Sequence, residues 1–299
     1  MMTRRVFPGV VAACGFTLPA LAQTQTYTFK VVASGLAKPT GIAVDEDEVY
    51  FTEVPSPGVG GGMNAVKRLD LENGKIKTLH MGEPQPVNIA VGRDGTIYWV
   101  CLTAGVILEQ DEDGVTKPFI GGLHRPSGIA IGRKGTVYFT QVPTPGVAGG
   151  NNGVFSSADG VRVQTIHLGE PEPVDIAVAP NGDLYWTCRT AGVILTRTAS
   201  NGMTSLLLGG LKQPTGIAVD SKGRNLYFTE VPTPGVPGAN GGRNKVSKYD
   251  LRTGQASVIH MGDPQPTDVA VSGDGSVYWT CTSAGVIVEA RLQGRRESD

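Results

Sequence analysis

The chain has 299 residues, a formal net charge of −1, 42 glycines and 20 prolines. Near-neutral charge without a basic stripe argues against a nucleic-acid partner, and no apolar run of about 18 residues is present to span a membrane. The glycines and prolines recur in register, so they mark turns between short strands rather than disorder.

The first element in chain order is an export signal over residues 1–22. Met1 to Arg5 carry positive charge, Val6 to Leu18 are mostly apolar, and Ala20-Leu21-Ala22 is a small-residue cleavage site. Thr3-Arg4-Arg5-Val6-Phe7 resembles a twin-arginine signal, while a Sec signal, or a lipoprotein signal ending at Cys14, stays open. The expected location is periplasmic or secreted. Residues 23–299 then form the mature domain. Three cysteines remain in it, Cys101, Cys188 and Cys281. An odd number at equivalent repeat positions predicts free thiols rather than a disulfide framework.

From Tyr27 onward the chain repeats itself. Pro39-Thr40-Gly41-Ile42-Ala43-Val44 recurs at Pro126–Ile131 and Pro214–Val219, each followed by an aromatic strand ending in Glu53, Gln141 or Glu230. A second version, Pro86-Val87-Asn88-Ile89-Ala90-Val91, recurs at Pro173–Val178 and Pro266–Val271. It leads into Tyr98-Trp99-Val100-Cys101, Tyr185-Trp186-Thr187-Cys188 and Tyr278-Trp279-Thr280-Cys281. The period is about ninety residues and the half-period about forty-five, which suits one four-stranded propeller blade. In the second blade the strands read as Val87–Val91, Thr96–Cys101, Gly105–Gln110 and Val115–Ile120, separated by turns such as Asp94-Gly95. Both faces are apolar because each blade lies between two others, so the three tryptophans are expected to pack between blades. The last blade lacks a fourth strand after Val286–Ala290, whereas Tyr27–Ala33 resembles one. The reading is an all-β, six-bladed β-propeller of three two-blade repeats, closed by the N-terminal strand.

Pro-Thr-Gly-Ile-Ala-Val followed by Tyr-Phe-Thr-Glu is similar to the repeats of NHL-type propellers, especially the virginiamycin B lyase type. The resemblance covers nearly the whole mature chain. It implies the propeller; it does not carry the lyase's magnesium ligands, because that type has seven blades and the histidines here fall elsewhere. Senescence-marker-type lactonases, also six-bladed, bind a divalent cation at the channel mouth. Their Pro-Asn-Gly or Pro-Asn-Asp metal turns are only approximated at Pro86-Val87-Asn88, Pro173-Val174-Asp175 and Pro266-Thr267-Asp268.

Three sets of residues recur in threes. Asn88, Asp175 and Asp268 start innermost strands, where the other blade type has Gly41, Gly128 and Gly216. They are the candidate metal ligands, for calcium or magnesium rather than zinc, against the alternative that they cap backbone N–H groups. The glycines are read as opening space. At the ends of the second strands Glu53, Gln141 and Glu230 alternate with Cys101, Cys188 and Cys281. Glu53 and Glu230 are the candidate acid–base residues; the cysteines read as small buried hydrophobes, with a soft-metal site the alternative. His80, His167 and His260 fall in His-(Met/Leu)-Gly-(Glu/Asp)-Pro-(Gln/Glu)-Pro. Comparison with Ile120 and Leu208 puts them on outermost strands, in a structural role, and not at a zinc centre.

Three long loops, Val54–Asn64, Val142–Asn152 and Val231–Asn244, each begin Val-Pro-(Ser/Thr)-Pro-Gly-Val and would collar the channel face. The leading functional reading is a small ligand bound with a divalent cation at the channel mouth, with lyase or lactonase-type hydrolase activity within it. The other is a non-catalytic interaction module holding a protein or peptide on the loop face. Neither Gly-x-Ser-x-Gly nor His-Glu-x-x-His is present, so the sequence selects no reaction.

Overall fold

The structure of the chain, a computed structural model, describes residues 26–55, 63–143, 151–232 and 244–293. These residues form six four-stranded antiparallel sheets. Strand β1 is Tyr27–Ala33. Blade 1 is β2 (Pro39–Asp45), β3 (Glu48–Glu53), β4 (Ala65–Asp70) and β5 (Ile76–Met81); blade 2 is β6 (Pro86–Val91), β7 (Ile97–Cys101), β8 (Val106–Gln110) and β9 (Thr116–Ile120). Blade 3 is β10 (Pro126–Ile131), β11 (Val137–Gln141), β12 (Gly153–Ser157) and β13 (Gln164–Leu168); blade 4 is β14 (Pro173–Val178), β15 (Leu184–Cys188), β16 (Val193–Arg197) and β17 (Thr204–Leu208). Blade 5 is β18 (Pro214–Val219), β19 (Asn225–Glu230), β20 (Lys245–Asp250) and β21 (Gln255–Met261); blade 6 is β22 (Pro266–Val271), β23 (Val277–Cys281), β24 (Val286–Leu292) and, as its fourth strand, β1.

The pairing of β1 with β24 runs antiparallel from Tyr27 opposite Leu292 to Val31 opposite Val288. Inner strands β2 and β22 then lie side by side, so the ring is complete. The six-bladed architecture and its N-terminal closing strand follow the repeat arithmetic.

The second strand of every blade carries the aromatic that packs against the blade before it. Trp99, Trp186 and Trp279 are fully buried, as are Phe51, Phe139 and Phe228. Trp99 meets Tyr50 and Val66 of blade 1, and Phe139 meets Tyr98, Val100 and Ile107 of blade 2. Across the closing seam Phe51 packs with Ala270, Tyr278 and Ile287 of blade 6.

A hydroxyl one position further along the same strands stitches the inner strands together. Thr187 Oγ1 accepts the Asp175 N–H (3.2 Å) and donates to the Thr215 carbonyl of the next blade (2.6 Å). Thr280 does the same for Asp268 N–H (3.2 Å) and, across the seam, the Thr40 carbonyl (2.7 Å). Thr140 and Thr229 repeat the pattern through Gly128 and Gly216 N–H. Each satisfies a buried backbone donor and acceptor that water cannot reach. Blade 2 departs: Val100 occupies the position, fully buried, and pairs directly with Asn88 in the ladder.

Candidate functional site

The inner strands bring Asn88, Asp175 and Asp268 together. A Cβ on Gly41, Gly128 or Gly216 would lie 2.5 Å from the Cα of Asn88, Asp175 or Asp268, respectively. Glycine is therefore needed for close approach of neighbouring inner strands. This corrects the expectation that these glycines open space: the room is filled by backbone, and the polar side chains are pressed inward.

Asn88 Nδ2 donates to Asp175 Oδ1 at 2.8 Å, and Asp175 and Asp268 are hydrogen-bonded side chain to side chain. The remaining oxygens take backbone donors: Ile217 N–H to Asp175 Oδ2 (2.8 Å), Ile42 N–H to Asp268 Oδ2 (2.9 Å) and Val269 N–H to Asp268 Oδ1 (2.8 Å). Ile89 N–H binds Asn88 Oδ1 at 2.7 Å. The backbone N–H bonds lower both acids, but burial outweighs them. Burial pushes Asp175 from 3.8 up to about 6. Burial and then the charge of Asp175 raise Asp268 well above the ordinary carboxylate range. With protein groups alone, burial and mutual repulsion favour a proton shared by the pair.

These three side chains are both a floor and a ceiling. On one side lies a mouth cavity of about 200 Å³, walled by Val87, Leu102, Val142 and Val174 and edged by Arg125, Arg189 and Glu172. On the other side the channel is apolar, lined by residues such as Ala90, Val91, Ala177 and Val178. Among the described residues no group of three or more His, Cys, Asp or Glu is placed to hold a metal ion; the floor offers two carboxylates and one amide.

Glu53 and Glu230 stand elsewhere. Glu53 accepts Ala37 N–H at 2.9 Å and pairs with Lys67 Nζ at 2.6 Å; Glu230 accepts Lys212 N–H at 2.6 Å and pairs with Lys245 Nζ at 2.8 Å. Gln141 likewise accepts His124 N–H, at 2.6 Å. All three fasten the chain entering the inner strand, and neither glutamate lies on the wall of the mouth cavity.

The histidines lie on outermost strands, as read. Each faces the next blade: His80 Nε2 is 2.7 Å from Glu83 Oε1, and its ring is 5.5 Å from that of Trp99. Cys101 donates to the other oxygen of Glu83 at 3.6 Å, and Cys188 to Glu170 at 3.3 Å. In the third copy the carboxylate is the shorter Asp263, which receives Trp279 Nε1 at 2.6 Å. All three cysteines are free and buried; burial first, then the adjacent carboxylate, pushes their thiols up, away from thiolate chemistry.

Arg125, Arg189, Glu172 and the threonine stitch were not singled out by sequence reasoning. The available signal was the residue before each inner-strand proline: Lys38, Gln85, Arg125, Glu172, Gln213 and Gln265 are all long and polar. Most of each collar loop, 56–62, 144–150 and 233–243, lies outside the described residues, as does the export signal. The loop bases are anchored: Asn64 Nδ2 donates to the Glu83 carbonyl and Asn244 Nδ2 to that of Asp263.

No protein-family model and no curated protein matches the sequence. Solved structures do match in fold. A gluconolactonase from Xanthomonas campestris superposes with a TM-score of 0.71 at 17% identity, over 97% of this chain and 99% of that one. Regucalcin from Agrobacterium tumefaciens, a calcium-binding protein, gives 0.69 at 15% identity, over 93% and 98%. Virginiamycin B lyase from Staphylococcus aureus gives 0.60 at 18% identity, over 90% and 100%.

Proposed function

We propose that this chain is an exported propeller that binds a small ligand at the channel mouth, with a divalent cation held by Asn88, Asp175 and Asp268. The supporting observation is the convergence of two buried aspartates and an amide at the cavity floor. An ionised carboxylate has further lone pairs besides the one that accepts an N–H. A cation would then replace the shared proton as the compensating charge. The donors are hard oxygens, which favours calcium or magnesium over zinc. Bound there, the ion would supply positive charge at the floor; the chain's own residues shape the cavity and hold the carboxylates in place. The likeness in fold to a gluconolactonase and a virginiamycin lyase makes lactone-bearing compounds the first candidates to assay for turnover.

Elemental analysis of natively purified protein, with melting in and out of chelator, tests the reading. About one equivalent of metal is expected, lost in the Asp175→Asn/Asp268→Asn double variant. Metal-free protein whose melting ignores chelator would remove the cation and favour the interaction-module alternative.

A further inference from the structure

A crown of six residues runs round the ring, one at the entry to each inner strand: Lys38, Gln85, Arg125, Glu172, Gln213 and Gln265. Each precedes the proline that opens an inner strand, and each has φ between 48° and 59°. The left-handed region costs a side-chain-bearing residue about 1 kcal/mol or more. Its backbone purpose is uniform: the Arg125 carbonyl, for instance, accepts Val142 N–H at 3.0 Å, and that of Glu172 accepts Arg189 N–H at 3.0 Å. Glycine would adopt this geometry freely, yet none of the six is glycine.

The crown divides by blade type. In even blades the side chain is half-buried and pinned by a neighbouring hydroxyl: Thr103 donates to Gln85 and Thr190 to Glu172, while Ser283 donates to Gln265 at 2.6 Å. In odd blades Lys38, Arg125 and Gln213 are exposed, and among the described residues their side chains have no hydrogen-bond or ion-pair partner. Arg125 alone of these three edges the mouth cavity. The other guanidinium there, Arg189, is already neutralised by Glu172 at 3.3 Å. One uncompensated positive charge therefore stands beside an apolar wall of Val87, Leu102, Val142 and Val174.

We infer that the mouth selects a monocarboxylate with an apolar flank, its carboxylate on Arg125 and its apolar part on that wall. The inference rests on the reading that the mouth binds a small ligand. A single guanidinium matches a single carboxylate in charge and in fork geometry. A dianion would add repulsion from Glu172. Arg125 is then a specificity-determining residue whose strain is retained for its side chain.

The test uses the whole mature protein and two isosteric probes, benzoate and benzamide, followed by NMR of the Arg125 side-chain N–H and the wall methyl groups. Benzoate should shift these signals and benzamide should not. Arg125→Gln should weaken benzoate binding by about tenfold or more, the loss expected for a charged hydrogen bond. Arg125→Gly, which relieves the left-handed strain, should do the same without lowering Tm, separating recognition from folding. Benzamide binding the wall as well as benzoate, or benzoate binding undiminished in both variants, would overturn the carboxylate inference and leave the mouth site standing. Silence from both probes at tens of millimolar would overturn the inference and count against the mouth as a ligand site.

Discussion

The floor aspartates make stability depend on pH in a definite direction. Asp175 has its folded value raised from 3.8 to about 6, and burial raises Asp268 well above 3.8 too. Their contribution is fully present below about pH 4 and is lost as pH rises through about 6 and beyond. His260, raised by its bond with Asp263 against opposing burial, works in the same direction: its contribution is lost as pH rises through its folded value. In chelator, Tm should therefore fall between pH 4 and pH 7, and Asp268→Asn should flatten that slope. Added calcium should flatten it too in the wild-type chain and not in the variant. A Tm that climbs over this range in chelator would contradict the buried pair. At the stitch, Val100→Thr should supply blade 2 with the hydroxyl its siblings use and gain about 0.5–1.5 kcal/mol in denaturant unfolding. The reciprocal Thr187→Val, which strips a buried N–H and a carbonyl of a partner, should cost about 1–3 kcal/mol. The cysteines should resist a thiol reagent in the native state and react on unfolding, because burial suppresses the thiolate.

Among the elements, β1 carries the most weight per residue. It supplies the fourth strand of blade 6 and covers β24, an edge that would otherwise present unpaired backbone groups. Deleting Tyr27–Ala33 should abolish the single cooperative transition and promote self-association, seen by calorimetry and light scattering. An unchanged melting profile in that truncation would mean that the seam between β2 and β22 suffices. Strand positions were legible because each blade repeats the same punctuation: in blade 2 the expected strand starts at Val87, Thr96, Gly105 and Val115 each fall one residue from those observed. Side-chain partners were less legible, because they join elements remote in sequence. Glu53 engages Lys67 on β4 and the chain before β2, which a strand-end carboxylate does not reveal. The crown was invisible for another reason. A residue before proline is ordinarily extended, and nothing in the letters Lys38 or Arg125 announces a left-handed backbone.

For the whole molecule the threefold repeat is a scaffold and its exceptions carry the chemistry. Asn88 stands where the other copies have aspartate, so the floor has two carboxylates rather than three. Val100 breaks the stitch and Asp263 redirects a carboxylate from thiol to indole. Arg125 and Arg189 face the mouth from blades 3 and 4, so the cavity is lopsided within a nearly symmetric ring. The convergence of Asn88, Asp175 and Asp268 was readable from their equal place in the repeat. The asymmetry of the mouth was not, because it arises from single substitutions whose meaning depends on which neighbour each one meets.

The seam between β1 and β24 also sets a timetable. A ribosome makes the closing strand first and its partner last, more than 250 residues apart. Until Leu292 emerges, the ring has no keystone, and the hydroxyl of Thr280 has no settled carbonyl across the join. Blades 1 to 5 can form in order while the chain grows, but the circle completes in one late step that joins the first strand of the ring to the last. Whatever holds β1 idle in the meantime, or shields the open join, decides how much of the newly made chain reaches the closed ring.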